Sequence, residues 1–584
     1  MNDSVTGGGI IAAMLRAEGV KKYFGIVDGT YLGLVSGCRQ EGISLVTPRH
    51  ESIAAHMAGA YARLTGGLGV CIASNGPGVA NMLPGVAVEN GEGNRVLLIT
   101  SSRRTPISYP DRGGAYQYLN QVGVIKPMAK WSGCADSFER VAELTRRALR
   151  KCWTGRPGVV HLDVPENIMN GKTKPLNLPG PTSYRNHAPL FPAPDLVERA
   201  ADLLAGAKLP LIHCGGGVIH AQAFEELARL AELLQAPVTT SWGARGVLPE
   251  TSPLAWPMML IKAVNQLRNA ADVSLVLGSR LGETDWWGKP PYWAPPSAQK
   301  MIQVDLDGDI LGLNRPADLM IQADLKLFLQ QVIARLEEMK ERLPLAERRE
   351  ALVKLTLEKN KIRAKLDEAL ADTATPLNTA HVAHVCRQVF DPDAVVVFDG
   401  GNTAVWGNFY HTCLTPNTQL STHHFGHLGA GVGQALGAAV ARPHSEVYCI
   451  IGDGAMGFHP QEIETAVRNK LKVIFLVCCD RQWGMVKMNQ SFALKPLTTM
   501  VKKSLPAGDT INTDLGEIAF DKLAQAMGGH GERVTRLEEL RPAIERARQA
   551  PVATVIHIEV DPVKHMWAPG LIHFKAMHQE PKGR

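Results

Sequence analysis

The stretch IIGDGAMGFHPQEIETAVRNKLKVIFLVCCDRQWGM, residues 450–485, decides the fold. It begins at the end of an apolar strand, turns at Gly-Asp-Gly with Asp453 in the middle, and runs through an amphipathic segment into a second apolar strand. Asp480 follows that strand, 27 positions after Asp453, which leaves room for one helix and one strand. In a parallel αβ structure both carboxylates then lie at the edge of the sheet where the carboxyl ends of the strands meet.

This arrangement suits a metal-bound diphosphate. Glycine on both sides of Asp453 permits a sharp turn and leaves main-chain amides open to an anion. Asp453 and Asp480 would both supply carboxylate oxygens, the ligands that Mg²⁺ prefers. The alternative is that the two aspartates cap turns or helices. An isolated Gly-Asp-Gly would favour that alternative, but the spacing and the glycine-rich context favour the diphosphate site.

Composition limits the class of protein. A chain of 584 residues is too long for one hydrophobic core, so about three domains are expected. The net charge of +6 is small and the basic residues are dispersed, which argues against nucleic-acid binding. Ten irregularly spaced cysteines without a CxxC pair indicate a reducing compartment. The N-terminus lacks a signal-peptide pattern and no stretch approaches the roughly 20 apolar residues of a membrane span, so we expect a cytoplasmic protein that does not enter the membrane.

Apolar strands alternate with amphipathic helices through most of the chain, which predicts parallel sheets covered by helices on both faces. A stretch rich in Pro, Asn and Gly at 167–195 indicates a linker, and 330–376 indicates a charged, solvated connecting helix. The predicted fold class is α/β, with three consecutive doubly wound parallel-sheet domains. The predicted boundaries are 1–170 for the N-terminal domain, 190–330 for the central domain, 331–376 for the helical linker, 377–565 for the third domain and 566–584 for a C-terminal tail.

The opening stretch resembles the cofactor signature of thiamine diphosphate (ThDP) enzymes, in which Gly-Asp-Gly is followed at similar spacing by Asn. The resemblance implies that Asp453, Asp480 and the main-chain carbonyl of Gln482 hold Mg²⁺ on the cofactor diphosphate. It also implies a pyrimidine-binding first domain and a diphosphate-binding third domain. Position 480 departs from the family, and an added negative charge there weakens diphosphate binding unless Mg²⁺ or a proton compensates. We retain Asp480 as a predicted ligand because carboxylate oxygen is a good Mg²⁺ donor.

The segment TPRHESIAAHMAGAYARLTG, residues 47–66, is similar to the family segment that activates the cofactor. The resemblance implies that Glu51 hydrogen-bonds the aminopyrimidine ring and favours the tautomer that removes the thiazolium C2 proton. On its own, Glu51 would be an acid placed favourably at a helix N-terminus. AYQYLNQ, residues 115–121, resembles the segment that supplies an active-site glutamine, which we place at Gln117.

Other segments match the family's cofactor-binding loops. They are SNGPGV at 74–79, DGGNTAVW at 399–406 and the glycine-rich HHFGHLGAGVGQALGAAVA at 423–441, in which Leu428 takes the position of the residue that wedges beneath ThDP. A dinucleotide fingerprint in the last segment is disfavoured because Gln434 stands where the third glycine should fall. The predicted cofactor-binding residues are Asn75, Gly76, Pro77, Asn402, Thr403, Leu428, Gly452, Gly454, Ala455 and Met456.

The middle block resembles the family's central domain. That domain carries FAD in acetolactate synthases and pyruvate oxidases, and in other members it is empty or binds a nucleotide such as ADP. The motif GSR at 278–280 occurs in both kinds, so the sequence does not decide whether FAD or ADP binds here.

The substrate pocket is expected just beyond the metal turn. DRQWGMVKMNQSF, residues 480–492, is similar to variants in sulfoacetaldehyde acetyltransferase and benzaldehyde lyase, and its GMV to acetolactate synthase. Asn489 stands near the position of a tryptophan in acetolactate synthases, which argues against strict acetolactate synthesis. An alternative for Trp483 is a core residue. The predicted pocket residues are Val27, Asp28, Trp483, Met485 and Val486.

The resemblance implies a ThDP- and Mg²⁺-dependent enzyme that makes or breaks C–C bonds, of the acetolactate synthase-like, benzaldehyde lyase-like and 2-hydroxyacyl-CoA lyase-like group. Its substrate would be a 2-oxo acid, a 2-hydroxy ketone, an aldehyde or an acyl-CoA. The alternative is a 2-hydroxyacyl-CoA lyase or oxalyl-CoA decarboxylase, whose basic, aromatic tail closes over CoA; the tail could equally be a frayed terminus. A third alternative is a ThDP-binding protein without catalysis. The family also implies a homodimer or homotetramer with active sites at the chain interface.

Overall fold

The computed structural model describes residues 4–108, 113–503, 508–571 and 573. Within them, three six-stranded parallel sheets follow one another along the chain, so the predicted α/β class with three consecutive parallel-sheet domains is confirmed. Residues 574–584, most of the predicted tail, lie outside the described residues. No helix of the described part combines the length and the apolar character needed to cross a bilayer.

The first domain builds a sheet whose strands all pair in parallel, in the order β3-β2-β4-β5-β7-β6, while β1 and β8 form a separate antiparallel pair. Its elements are β1 (Val5–Thr6), α1 (Gly7–Ala17), β2 (Lys22–Gly25), α2 (Leu32–Gln40), β3 (Ser44–Val46), α3 (Glu51–Thr65), β4 (Gly69–Ala73), α4 (Pro77–Glu92), β5 (Val96–Ser102), α5 (Thr105–Ser108), α6 (Gln121–Ile125), β6 (Trp131–Cys134), α7 (Phe138–Trp153), β7 (Val159–Pro165), α8 (Glu166–Met169) and β8 (Lys172–Thr173).

The central domain builds a second parallel sheet in the order β11-β10-β9-β12-β13-β14. Its elements, with the long helix that follows them, are α9 (Pro194–Gly206), β9 (Pro210–Cys214), α10 (Gly217–Ala221), α11 (Phe224–Leu234), β10 (Val238–Thr240), β11 (Ala255–Trp256), α12 (Ile261–Ala270), β12 (Val273–Leu277), β13 (Lys300–Asp305), β14 (Leu319–Gln322), α13 (Leu325–Glu338) and α14 (Leu345–Asp367).

The third domain builds a parallel sheet in the order β16-β15-β17-β18-β20-β19. Its elements are α15 (Ala380–Val389), β15 (Val395–Asp399), α16 (Gly401–Tyr410), β16 (Gln419–Leu420), α17 (Ala430–Ala441), β17 (Val447–Gly452), α18 (Asp453–Met456), α19 (Glu462–Arg468), β18 (Val473–Cys479), α20 (Gly484–Leu494), α21 (Pro496–Lys502), α22 (Phe520–Ala526), β19 (His530–Val534), α23 (Leu537–Gln549), β20 (Thr554–Glu559) and α24 (Pro562–Met566). Short 3-10 helices lie at Gly29–Tyr31, Lys126–Met128, Pro181–Ser183, Trp242–Ala244, Glu283–Gly288, Gly308–Ile310, Lys340–Arg342 and Glu368–Ala371.

The first and third sheets share one topology. When the strands of each sheet are numbered along the chain, both read 2-1-3-4-6-5, whereas the central sheet reads 3-2-1-4-5-6. The direction of winding reverses between β2 and β4 in the first sheet and between β15 and β17 in the third. Open α/β sheets bind ligands in the crevice at this switch point, outside the carboxyl ends of the strands. The fold therefore predicts one ligand-binding crevice in the first domain and one in the third domain.

The first and third domains pack on each other through α3 and α17, and residues of both sheets contribute to one continuous hydrophobic core. Glycines on α17 allow the close approach. A Cβ on Gly433 would stand 2.7 Å from the Cβ of His56, and a Cβ on Gly437 would stand 2.5 Å from the carbonyl oxygen of Met57. Since real Cβ atoms do not make contacts this short, any side chain at either glycine would force the two helices apart.

The helix predicted as a solvated connector carries one fully buried charge. The Arg348 side chain on α14 donates hydrogen bonds of 2.7–3.1 Å to the carbonyls of Leu204, Ala205, Ala207 and Leu234. These carbonyls lie at the C-terminal ends of α9 and α11, where main-chain acceptors have no partner within their own helix. Arg348 thereby fastens α14 to the central domain, so the connector is part of that domain's structure.

Replacing Arg348 with Met should destabilise the central domain by about 2–4 kcal/mol, because the substitution leaves several buried carbonyls without a donor. The free energy of unfolding by urea, followed with hydrogen exchange in 194–234, measures this loss. Arg349→Met is the matched control, since Arg349 is exposed on the same helix. Equal stability of the two variants would contradict the proposed role of Arg348.

Candidate active site

Two loops flank the switch point of the third sheet, one after β15 and one after β17. Asp399 ends β15, and its buried carboxylate accepts hydrogen bonds from the amides of Gly400 (2.6 Å) and Gly431 (2.7 Å). Burial raises the pKa of Asp399 to about 7. Gly400 has φ +95°, a conformation that favours glycine. Asp399 thus ties the loop after β15 to the start of α17, beside Leu428. The sequence analysis did not assign Asp399.

Asp453 and Asp480 lie at the ends of the adjacent strands β17 and β18. Asp453 accepts hydrogen bonds from the amides of Gly454 and Arg481, both at 2.8 Å. Asp480 is 7% exposed and accepts a hydrogen bond from the side-chain amide of Gln482 at 3.2 Å. Burial and the charge of Asp480 raise the pKa of Asp453 to about 6, and burial raises the pKa of Asp480 to about 6. The buried carboxylate of Asp480 beside the partly buried carboxylate of Asp453 forms a site that favours a cation.

The predicted diphosphate loop presents an unpartnered polar atom. Asn402 is buried, and its side-chain oxygen has no hydrogen-bond partner. A Cβ on Gly484 would stand 2.6 Å from the Asn402 side-chain nitrogen and 3.2 Å from an Asp480 oxygen, so Gly484 keeps space open between these groups. Thr403 is buried beside them, and its hydroxyl would lie 2.9 Å from a Cβ on Gly452. Polar groups around a glycine-lined space fit a diphosphate with its metal ion.

Sequence reasoning missed His565, on α24. Its Nε2 lies 3.2 Å from the Thr403 hydroxyl and 3.9 Å from an Asp480 oxygen, and its Nδ1 lies 2.7 Å from the Thr379 hydroxyl. Burial lowers the pKa of His565 to about 4, so the ring is neutral at neutral pH. A signal was present, because His565 closely follows the apolar strand β20 and parallel strands end at a common edge.

The main-chain carbonyls of α24 also bind the cofactor loops. Pro562 accepts a hydrogen bond from the Gln482 side chain at 2.7 Å, and Met566 accepts one from Asn402 at 3.4 Å. The side chain of Gln482 is therefore engaged with Asp480 and Pro562. The predicted metal ligand at this position was the carbonyl of Gln482, which stays a prediction.

A cavity of about 450 Å³ opens beside Asp453 and Gly454. Trp483 and Phe458 line it with their rings 6.3 Å apart in an edge-to-face arrangement, and Ile518 and Phe520 add apolar surface. Trp483 thus lies in the wall of this cavity, and its role in a substrate pocket stays a prediction. An apolar pocket with a few polar groups at one end is typical of small-molecule sites.

The other predicted residues of this region do not line this cavity. Ala455 and Met456 are buried on α18. Met485 packs partly buried against the core, with its Cβ 3.3 Å from the position of a Cβ on Gly401, and Val486 is half exposed. Leu428 is partly buried against the core shared by the first and third domains.

The predicted residues of the first domain flank the switch point of its sheet. Val27 and Asp28 follow β2, and the side chain of Asp28 accepts a hydrogen bond from the Thr30 amide at 2.8 Å. Asn75 and Gly76 follow β4. Asn75 donates to the carbonyl of Gln117 at 3.2 Å, and Gly76 has φ +60° immediately before Pro77 begins α4.

Gln117 contributes its main chain to this crevice, whereas its side chain is exposed. The neighbouring Gln121, which the sequence analysis did not single out, is buried. Its side-chain oxygen accepts a hydrogen bond from the Gly76 amide at 3.1 Å, and its side-chain nitrogen donates to Asp163 at 2.7 Å. Gln121 therefore fixes the turn after β4.

Glu51 begins α3, and its carboxylate accepts a hydrogen bond from the Asn81 side chain at 3.0 Å. Among the described residues, no hydrogen bond or ion pair joins Glu51 to Asp453 or Asp480. Nor does the described part contain a cluster of three His, Cys, Asp or Glu side chains able to hold a metal ion. A site with two carboxylates suits Mg²⁺, which keeps several of its waters.

Three family models match the chain, one for each domain. Residues 5–124 match the N-terminal TPP binding domain of thiamine pyrophosphate enzymes, 197–332 match their central domain, and 399–558 match their C-terminal TPP binding domain. The chain belongs to the thiamine pyrophosphate enzymes. It is thus a ThDP-dependent enzyme that forms or cleaves C–C bonds. Thiamine pyrophosphate is another name for ThDP, so the resemblance seen in the sequence is confirmed.

Curated relatives align over nearly the whole chain. A probable acetolactate synthase large subunit of Methanocaldococcus jannaschii is 29% identical over 95% of this chain and 92% of its own length. A sulfoacetaldehyde acetyltransferase of Castellaniella defragrans is 30% identical over 93% of this chain and 91% of its own. An oxalyl-CoA decarboxylase of Escherichia coli is 30% identical over 95% of this chain and 94% of its own length. These ThDP enzymes are named for different reactions, so the family alone does not select the substrate.

Gly484→Ala should weaken ThDP binding by about tenfold or more, because the new methyl group occupies the space between Asn402 and Asp480. Titration of the apoenzyme with ThDP at saturating Mg²⁺ measures the dissociation constant. Gly206→Ala is the matched control, since a Cβ at Gly206 meets nothing within 4 Å. Unchanged ThDP affinity in Gly484→Ala would exclude a diphosphate site at this point.

Proposed function

We propose that this enzyme is an acetolactate synthase-like carboligase or decarboxylase that acts on 2-oxo acids or 2-hydroxy ketones with ThDP and Mg²⁺. The observation that carries the proposal is the placement of Asp453, Asp480 and the unpartnered Asn402 around one space at the switch point of the third sheet. The adjoining apolar cavity at Trp483 would receive a small carbonyl substrate.

Asp453, Asp480 and the carbonyl of Gln482 would hold Mg²⁺, and Asn402 and Thr403 would hold the diphosphate. These residues fit a metal ion because of their charge. Asp480 is buried, Asp453 is partly buried, and both have raised pKa values, so a divalent cation held by them would stabilise their ionised forms. Such a cation also offsets the negative charge that Asp480 adds beside a diphosphate.

When bound, ThDP supplies a nucleophilic carbon that adds to carbonyl groups. The role of the protein is to orient the cofactor and to move one proton. Glu51 would hold a proton at the aminopyrimidine ring, and Asn81 would orient its carboxylate. Asn75, Gly76 and Pro77 would form the opposite wall of the pyrimidine site, and Leu428 would support the cofactor from below. Trp483 and Phe458 would keep water from the reacting carbon.

An acyl-CoA substrate is the second candidate. The indole nitrogen of Trp567 donates to the carbonyl of Lys503 at 2.6 Å, and its ring packs edge-to-face on Phe492 at 5.5 Å. These contacts bind the C-terminal segment to α20 and α21, beside the substrate cavity. A basic tail that leaves from this point could cover CoA. The predicted tail residues Lys575, His578, Lys582 and Arg584 lie outside the described residues.

Proton NMR of the products after incubation with pyruvate, and separately with oxalyl-CoA, tests the function. We expect a C–C coupled or decarboxylated product from pyruvate.

Glu51→Gln should bind ThDP as the native enzyme does but lose turnover by about 10²-fold or more, because it removes the group that moves the cofactor proton. Glu225→Gln, an exposed change on α11, should retain full activity. Turnover of oxalyl-CoA alone would replace the first candidate by the second, and full activity of Glu51→Gln would contradict both.

We also propose that two chains form the active site, as a homodimer or as part of a homotetramer. Support comes from the half-exposed Phe458 of the cavity wall and from the half-exposed Val486 on α20, apolar side chains that a second chain could cover. A symmetric pair of chains would bring Glu51 of one to the metal turn of the other.

Glu51→Gln and Asp453→Ala chains carrying different affinity tags test this arrangement. Each variant alone should be inactive. Hybrid dimers purified over both tags should recover about half the native activity, because one of their two sites combines an intact Glu51 with an intact Asp453. The rate of hydrogen–deuterium exchange at ThDP C2 measures this activity and does not require that a substrate be chosen. Hybrids as inactive as their parents would show that each site lies within one chain.

A further inference from the structure

A second cavity, of about 490 Å³, lies on the first domain between the outer face of α7 and the segment that leads toward the central domain. Arg146, Arg147 and Arg150 line it from α7, and Arg185 lines it from the linking segment. The hydroxyl-bearing residues Thr182 and Ser183 complete the wall. This cavity shares no lining residue with the cavity at Asp453.

Three of the four arginines in this cavity, those on α7, have no acidic partner among the described residues, whereas Arg185 pairs with Glu18. Within the described chain, no carboxylate lies at ion-pair distance from Arg146, Arg147 or Arg150. The acid that lines the same cavity, Glu143, is paired with Arg140 at 3.1 Å. Arginines three and four residues apart share one helix face and repel each other. An arginine cluster that lacks counter-charges in a concave site favours a bound anion.

The wall opposite α7 is held in place. Glu18 accepts a hydrogen bond from the Tyr184 hydroxyl at 2.7 Å and pairs with Arg185 at 3.0 Å. The Arg185 guanidinium also stacks over the Trp153 ring, 4.3 Å from its centre. Tyr184 is buried, so the linking segment is anchored at this point. A ligand would therefore enter a preformed cleft, which lowers the entropy cost of binding.

We propose that this cavity binds a small oligophosphate, such as an inorganic polyphosphate or the phosphate chain of a nucleotide. Guanidinium groups present paired N–H donors that match phosphate oxygens, and the hydroxyls of Thr182 and Ser183 are suitable neutral donors. The volume suits a small molecule. Nucleic acid fits less well, because the net charge is only +6 and the remaining basic residues are dispersed. The bound ligand would link α7 to the segment between the first and central domains.

Calorimetric titration of the holoenzyme with inorganic tripolyphosphate, at constant free Mg²⁺, tests the proposal. ThDP occupies the catalytic site in this experiment and does not compete. We expect saturable binding at one site per chain, weakened by about tenfold or more in the variant R146Q/R147Q/R150Q. The variant R229Q/R335Q/R541Q removes the same charge from exposed arginines that have acidic partners, and it should bind as the native chain does.

Parallel titrations with ATP, citrate and a short RNA duplex identify the ligand class. ATP binding that depends on the cluster, and that exceeds tripolyphosphate binding, assigns the phosphate to a nucleotide. Equal binding of citrate, or cluster-dependent binding of RNA alone, would overturn the oligophosphate assignment. So would equal losses in the two triple variants, or a lack of saturable binding. Native ThDP content and an unchanged melting temperature in R146Q/R147Q/R150Q show that the variant is folded.

Discussion

The site depends on one constraint of the fold. The carboxyl ends of parallel strands lie side by side where the direction of winding of the sheet reverses. β15 and β17 pair in parallel and their carboxyl ends lie side by side, so the loops at Asp399 and Asp453 must face one crevice. β18 and β20 add Asp480 and α24 to the same edge. Residues more than 150 positions apart thus meet without a long loop. The sheet therefore brings together polar groups that are far apart in the sequence.

This placement has an electrostatic cost that the rest of the site must offset. Asp453 and Asp480 are buried close to each other, and burial disfavours their charged forms. The neutral imidazole of His565 and the amide of Gln482 provide hydrogen-bonding groups but no compensating charge. A bound cation or a proton on one carboxylate would stabilise the pair. At the proposed site, Mg²⁺ would offset the negative charge of Asp480, which stands where the family usually has asparagine.

The sequence predicted the central strands of each sheet but not the edge strands. Nearly continuous apolar stretches of the sequence mark the four inner strands of each sheet, because these strands are buried on both faces. The sequence did not indicate the six edge strands of these sheets, β3, β6, β11, β14, β16 and β19, nor β1 and β8 of the separate antiparallel pair. Strands such as Ala255–Trp256 and Gln419–Leu420 have two residues, too few for any periodicity.

The residues of the candidate site also divide into those that the sequence indicates and those that only the structure reveals. Asp453 and Asp480 could be found because glycines and apolar strands mark their positions locally. Asp399 and Gln121 could not, because their importance arises from contacts across long sequence separations, such as Asp399 with Gly431 and Gln121 with Gly76. His565 carried only the signal of its position after the apolar strand β20, and its contact with Thr379 is also long-range. Arg348 was missed for a related reason. A charged residue in a charged helix looks solvated until its tertiary partners are known.

The shared strand order of the first and third domains has a consequence for the history of the chain. α3 lies between the second and third strands of its sheet along the chain, and α17 occupies the same place in its own sheet. Equivalent helices in mutual contact are what a twofold axis produces in a dimer of identical subunits. The two domains are therefore arranged as a fused pair, as expected from duplication of one ancestral αβ unit. After such a fusion the two domains are free to diverge, one to bind the pyrimidine of the cofactor and the other to bind its diphosphate. Glycines such as Gly433 must be retained, because they allow the close packing of α3 and α17.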